Sequence, residues 1–168
     1  MINNILTSEE FQKAYSYSIR ILSKRDYSRY KLKIKLQSQG FDESLIEEIL
    51  NHLESKKFIN EQNYAESKIK NWMTKGLSID HIRQKLEQEN ISADNYFISQ
   101  VFDEYKTDED SQLESLIQKK CRSISSREMF DFNFEKKLIR YLLSKGHSYD
   151  MVQKAIDSYI RRFDEEEF

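Results

Sequence analysis

Proline is absent from the 168 residues, and glycine occurs only as Gly40, Gly76 and Gly146. A mixed or all-β domain needs many tight turns built on those two residues, so their scarcity argues against sheets and for helices throughout. The lone Cys121 excludes an intramolecular disulfide framework. With only three scattered histidines beside it, too few soft ligands remain for a Cys/His zinc site. This usage fits a reducing cytoplasm. No 18-residue apolar window occurs, and the opening MINNILTSEE has neither a basic n-region nor a long apolar run. Neither export nor a membrane span is therefore expected.

Charge is what the chain has in quantity: 33% of residues are Asp, Glu, Lys or Arg, against 38% hydrophobic. A chain of this length and balance can bury a core, but several small cores in an elongated, surface-rich arrangement suit it better than one large one.

The three glycines punctuate a repeat. YSRYKLKIKLQSQGFDESLIEEILNHL (residues 27–53) aligns without a gap on NFEKKLIRYLLSKGHSYDMVQKAIDSY (residues 133–159), so that Gly40 falls on Gly146. In that register Leu32, Leu36, Leu45, Ile46, Ile49 and Leu50 fall on Leu138, Leu142, Met151, Val152, Ala155 and Ile156. A weaker copy at residues 77–105 places Ser28 on Ser78, Leu32 on Ile82, Leu36 on Leu86 and Gly40 on Asn90, a residue that also adopts the left-handed conformation ending a helix. Beyond Asn90 the register slips by about two residues, setting Phe97, Val101, Phe102 and Tyr105 opposite Leu45, Ile49, Leu50 and Leu53.

The repeat resolves an ambiguity at YKLKIKL (residues 30–36), whose strict alternation of charged and apolar residues imitates a half-buried strand. The equivalent segments IRQKLE and LIRYLL do not alternate, whereas the pairs Leu32/Leu36, Ile82/Leu86 and Leu138/Leu142 recur at i, i+4. That spacing predicts a helix, capped at its start by Ser28 or Ser78 and closed in the first copy by Gly40. Tyr27, Tyr30 and Ile34 then form a second apolar stripe, which packs on a neighbouring helix or, alternatively, offers an exposed strip to a partner.

Each copy is preceded by a further helix, expected over residues 11–24, 61–74 and 109–121. The chain thus reads as all-α, three tandem three-helix units (residues 1–57, 58–106 and 107–168) with helix-turn-helix-like corners at GFD and GHS, stacked into a curved rod.

In that order, the segments YKLKIKL with Arg29, GFDESLIEEIL, FIN followed by YAESKI, KGLSIDHIRQKL and GHSYDMVQKAI resemble the successive signatures of the RecX family, the small helical regulators of the bacterial recombinase RecA, over about 150 residues. The resemblance implies three tandem repeats lying in the groove of a RecA filament and modulating, most simply inhibiting, its recombinase and ATPase activities in DNA repair, recombination and the SOS response. It implies no enzymatic activity and no cofactor. The implied partner is the RecA filament with the single- or double-stranded DNA inside it, bound by a monomer. Three features depart from the family pattern: Asn90 in place of a glycine, His147 in place of an aromatic, and a net charge of −2 where many relatives are basic.

That small net charge conceals strong patterning. Residues 11–40 carry eight Lys/Arg against Asp26 alone, and residues 91–118 carry seven acidic residues against Lys106. Residues 119–162 hold eleven positive and five negative residues before the closing DEEEF. Arg29, Lys33 and Lys35, then Arg83 and Lys85, then Lys137 and Arg140 fall on corresponding second helices. With Arg25, Lys68 and Lys70 they form the candidate partner- or DNA-binding set, since a basic stripe repeated along such helices suits phosphate or an acidic partner. The bland alternative is that these are merely solvated helix faces.

Catalysis finds little support. His52, His81 and His147 are expected on different helices, no glycine-rich phosphate loop exists, and DED at residues 108–110 reads as the acidic first turn of a helix. Cys121 lies between Lys120 and Arg122, cations that favour a thiolate, but a buried, inert helix cysteine is the simpler reading. Trp72 reads as an anchor between repeats, or, if exposed, as a partner contact. A direct DNA-binding array of helix-turn-helix-like units acting without a recombinase is the competing function; a general helical adaptor explains the repeats but not the basic stripe.

Overall fold

YKLKIKL is helical. In the computed structural model, which describes residues 9–124 and 130–166 with side chains to residue 162, it lies within α2 (Arg29–Gln37). Ser28 caps it, its hydroxyl accepting from the Lys31 amide at 3.2 Å. The remaining helices are α1 (Glu9–Leu22), α3 (Glu43–Ser55), α4 (Glu61–Thr74), α5 (Ile79–Glu87), α6 (Asn95–Glu104), α7 (Glu109–Cys121), α8 (Phe132–Leu143) and α9 (Tyr149–Glu166). Among the described residues there is no strand. The first eight residues, the side chains of the closing DEEEF and Arg127 of the basic C-terminal third lie outside the described residues. Observed α1 begins and ends two residues before its expected span, while α4 and α7 match theirs.

The expected punctuation is present in the backbone. Gly40, Asn90 and Gly146 have φ of 81°, 54° and 92°, so the asparagine that replaces a glycine in the middle copy adopts the same left-handed turn. At each, the amide donates three residues back, to Gln37, Glu87 and Leu143; at the first two the next amide reaches the helix carbonyl five residues back, Leu36 or Leu86. Each i, i+4 pair predicted for the core is buried, at 0–3% exposure for Leu32, Leu36, Ile82, Leu86, Leu138 and Leu142. Of the four residues the slipped register set in the core of the middle copy, Val101 and Phe102 are buried, but Phe97 is half-buried, its neighbour Ile98 taking the fully buried place, and Tyr105 is 51% exposed where its counterpart Leu53 is fully buried. Tyr105 is the C-cap residue of α6, so its backbone is already leaving the helix.

Packing gathers the chain into two compact units, residues 1–67 with 86–92, and residues 68–85 with 93–168, so that α4 and α5 contribute to both. In the first unit α1, α2 and α3 enclose Phe11, Ala14, Leu32, Leu36, Ile46, Ile49, Leu50 and Leu53. Tyr27 packs half-buried against this core, whereas Tyr30 and Ile34 are 36% and 44% exposed, so the second stripe on α2 packs only at its start.

In the second unit α7, α8 and α9 surround Leu113, Ile117, Leu138, Leu142, Val152 and Ile156. Here the α4–α5 corner is clasped to the α8–α9 corner by backbone and side chain together. The Ser78 amide donates to the Lys145 carbonyl at 3.0 Å and the Ser78 hydroxyl to the Gly146 carbonyl at 2.9 Å. The same hydroxyl accepts from the His81 amide at 3.1 Å, capping α5. His147 lies in this turn and not on a helix, and its Nε2 is 2.9 Å from the Gly76 carbonyl, which accepts its proton. A small or aromatic side chain here would leave that carbonyl without this partner; the polar ring fills the site and bonds it.

The clasp separates two otherwise similar glycines. A Cβ on Gly40 would meet nothing within 4 Å, but one on Gly146 would lie 2.5 Å from the His81 Cβ and 2.6 Å from the Ser78 hydroxyl. Gly40→Ala is expected to lose about 1–2 kcal/mol through left-handed strain alone. Gly146→Ala should lose roughly 3 kcal/mol or more, because overpacking adds to the strain. Urea melts of both variants compare the two directly.

His147 also carries a pH dependence. Burial pushes its pKa below the ordinary histidine value, against the opposing pull of the Gly76 bond and the Glu109 charge, with His81 and Lys145 adding to the depression. The folded protein thus binds this proton less readily than the unfolded chain. Its contribution is complete above an unfolded value of about 6.5 and falls away as pH drops through that value toward the folded one. The melting temperature should therefore fall from pH 7.5 to 5.5. In His147→Gln, whose amide can still donate to Gly76, the fall should be smaller; an identical fall in both would exclude His147 as its source.

Candidate partner and nucleic-acid interface

The candidate basic residues divide by what each charge touches. On α2, Arg29 is locked by its own unit: Nη1 donates to Glu54 at 2.6 Å, and Nη2 to Glu47 at 2.7 Å and Asn51 at 2.9 Å. Burial works against its charge, but the bonds to Glu47 and Glu54 prevail and hold the pKa above the ordinary arginine value. Lys33 bridges Glu43 and Glu47 at 2.5 and 2.6 Å, bonds that raise its own pKa and depress both carboxylates. These two cations pin α2 to α3. Lys31 is likewise held by Glu89, whose other oxygen accepts the Tyr64 hydroxyl at 2.7 Å.

Two of the eight cations at residues 11–40, Arg29 and Lys33, are therefore answered by α3, which the sequence reading did not anticipate. A signal was available. Glu43, Glu47, Asn51 and Glu54 are spaced four, four and three residues apart, one polar stripe down α3 facing the cations of α2. Lys35 is different: it is exposed and makes no ion pair among the described residues. Arg25 is exposed too, its guanidinium folded onto Tyr27 at 4.8 Å from the ring centroid and donating to the Tyr27 hydroxyl at 2.8–2.9 Å.

The other six candidates belong to the second unit. Lys68 and Trp72 lie one turn apart on α4, and Lys85 comes to the same indole from α5, placing ammonium groups 6.0 and 5.8 Å from the ring centroid. Trp72 is half-buried. Lys70 lies 5.3 Å from the exposed Tyr105 ring. Arg83 pairs with Asp80 at 3.6 Å. Lys137 and Arg140 are exposed on α8, the guanidinium Nε of Arg140 donating to the Lys136 carbonyl at 3.4 Å. Three further basic-aromatic contacts of this unit were missed: Lys120 and Lys145 flank Tyr141 at 4.3 and 5.4 Å, and Lys136 lies 5.9 Å from the exposed Phe132. The pairs Lys68/Trp72 and Phe132/Lys136 are at i, i+4 and legible in sequence; Lys120 on Tyr141 depends on tertiary packing.

The acidic stretch has structural duties. Asp94 and Asp108 cap α6 and α7, accepting from Phe97 and Ser111 amides at 2.8 and 2.7 Å, and the Glu109 carboxylate accepts the Ile79 amide at the start of α5. DED is the N-cap and first turn of α7, as expected. Cys121 is buried, and desolvation pushes its thiol pKa up against the opposing hydrogen bond with Tyr159. Among the described residues no cluster of three or more His, Cys, Asp or Glu is arranged to hold a metal, and no helix is long and apolar enough to cross a membrane.

These units define a class: an all-α repeat protein of helix-turn-helix-like units whose cations are shared between internal ion pairs and exposed basic-aromatic contacts. Residues 14–53 match the model of the RecX first three-helix domain and residues 108–156 that of its third three-helix domain. The chain is 29% identical over 138 residues to the regulatory protein RecX of Haemophilus influenzae (strain PittEE), covering 82% of this chain and 88% of that protein. It is 27% identical over 167 residues to that of Clostridium perfringens (strain SM101 / Type A), covering 99% of this chain and 76% of the relative. The crystal structure of RecX from Lactobacillus salivarius superposes with a TM-score of 0.67 at 28% identity, covering 89% of this chain and 96% of that one. A second crystal structure of a regulatory protein RecX, 23% identical, shares the fold with a TM-score of 0.68. The chain belongs to the RecX family.

The Arg29 network gives a sharp expectation. Arg29→Ala should destabilise the protein by about 1–2 kcal/mol, as a charge-assisted fork is lost from partly exposed partners. Arg29→Lys should recover less than half of that, because one ammonium cannot reproduce a planar fork bonded to Glu47, Asn51 and Glu54. Thermal melts distinguish the two; full stability of Arg29→Ala would return Arg29 to the free basic face.

Proposed function

We propose that this protein is a regulator that binds the RecA nucleoprotein filament and restrains its recombinase and ATPase activity in DNA repair, recombination and the SOS response. The observation that carries this reading is family membership through the first and third three-helix domains, together with relatives named regulatory protein RecX. In this reading it acts as a cytoplasmic monomer without catalysis or a cofactor. Its repeats, residues 1–57, 58–106 and 107–168, are the modules that meet successive parts of the filament.

Within the candidate set the contacts are narrowed by geometry. Lys35, Lys68, Lys70, Lys85, Lys137 and Arg140 reach outward or rest on rings and are the contacts favoured for the filament. Arg29 and Lys33 serve it indirectly, by fixing α2 on α3. The second reading, direct DNA binding without a recombinase, is favoured by one observation only, the lysines gathered on Trp72.

ATP hydrolysis by RecA filaments on single-stranded DNA, followed as the protein is added, tests the proposal. A fall in the rate of hydrolysis is expected, and unchanged hydrolysis would overturn the proposal. Charge reversal at Lys35, Lys137 and Arg140 should weaken filament binding at least tenfold without lowering the melting temperature, and binding should recover at low salt. The direct-DNA reading instead requires steep, salt-sensitive binding to bare duplex.

A further inference from the structure

Trp72 is the only tryptophan in the chain, half-buried near the end of α4, and two lysines from different helices converge on its ring at 6.0 and 5.8 Å. The same unit repeats the device at Tyr141, half-buried with Lys120 and Lys145 at 4.3 and 5.4 Å, and in a simpler form at Tyr105 with Lys70 at 5.3 Å. Aromatic rings alternating with cations form the chemistry that holds single-stranded nucleic acid: the ring takes the face of an unstacked base and the ammonium groups take the flanking phosphates.

We propose that Trp72, with Lys68 and Lys85, is a stacking site for one base of single-stranded nucleic acid. The half-buried indole offers part of its face to a base, and the two ammonium groups beside it meet the phosphates that flank the stacked nucleotide. A duplex cannot use the site, because its base faces are already stacked. An acidic peptide could use the lysines, but it has no flat π-face to give the indole a role. The inference deepens the filament reading, since single-stranded DNA lies within such a filament, yet it is tested on the protein alone.

Trp72 supplies its own fluorescence signal. Titration with a short oligothymidylate should quench it saturably. Abasic oligomer and duplex of equal length, and polyglutamate, should leave it nearly unchanged. Trp72→Ala should weaken binding of end-labelled oligothymidylate at least about fivefold, the lower limit for loss of one stacked base. Trp72→Phe should retain most of the affinity. Lys68→Gln with Lys85→Gln should flatten the salt dependence by one to two counterions. Absence of binding, binding without quenching, equal quenching by the abasic oligomer, the duplex or polyglutamate, or an unaffected Trp72→Ala with native circular dichroism would each overturn the stacking site. A chain that fails these tests but still restrains RecA hydrolysis loses only this contact; one that passes them but leaves hydrolysis unchanged binds single strands and is no filament regulator.

Discussion

Among the described residues six helices are followed by a residue with positive φ: Gly40, Lys57, Gly76, Asn90, Lys106 and Gly146. Such a left-handed residue lets the last amides bond back into the helix while the backbone turns away, a stop that needs no proline. Everything downstream depends on these stops. They set the length of α2 and α5 at nine residues each, which brings one i, i+4 pair per helix into the core. They also deliver the next helix in the orientation that buries Ile46 and Ile49 in the first copy and Val152 and Ile156 in the third. Only two of the stops meet obstacles: at Gly76 a Cβ would lie 2.6 Å from the Leu116 side chain, and at Gly146 it would strike His81.

Charge follows a second logic. Two of the four cations of α2, Arg29 and Lys33, are answered across the helix pair by α3 and a third, Lys31, by Glu89, so that part of the positive excess of this run is neutralised where it folds. Cations also rest on aromatic rings, Arg20 and Arg25 on Tyr17 and Tyr27 in the first unit and several lysines in the second, where Arg83 and Arg162 make ion pairs as well. An ion pair between partly exposed groups fixes the geometry of a helix pair, whereas a cation–ring contact at an exposed site contributes less. Both units therefore use cations in both ways.

The acidic residues complete the pattern. Asp42, Asp94, Asp108 and Asp131 each cap a helix, so part of the negative charge that offsets the basic runs is committed to orphan amides at helix starts. A net charge of −2 is therefore a poor guide to the surface a partner would meet.

By itself, the sequence determined the helical class, the three copies and their core pairs, because absent proline, spaced glycines and i, i+4 leucines are local signals that no tertiary context reverses here. It also revealed the family, through segments in fixed order. Tertiary structure alone decided which charges remain available. Whether Arg29 faces solvent or three acceptors on α3 depends on how two helices cross, and whether Lys85 reaches Trp72 depends on the corner between α4 and α5. Nor could composition show that His147 is buried and bonded to Gly76. Its role comes from two corners distant in sequence that meet through Ser78, and a long-range contact of that kind leaves no periodic trace in the chain.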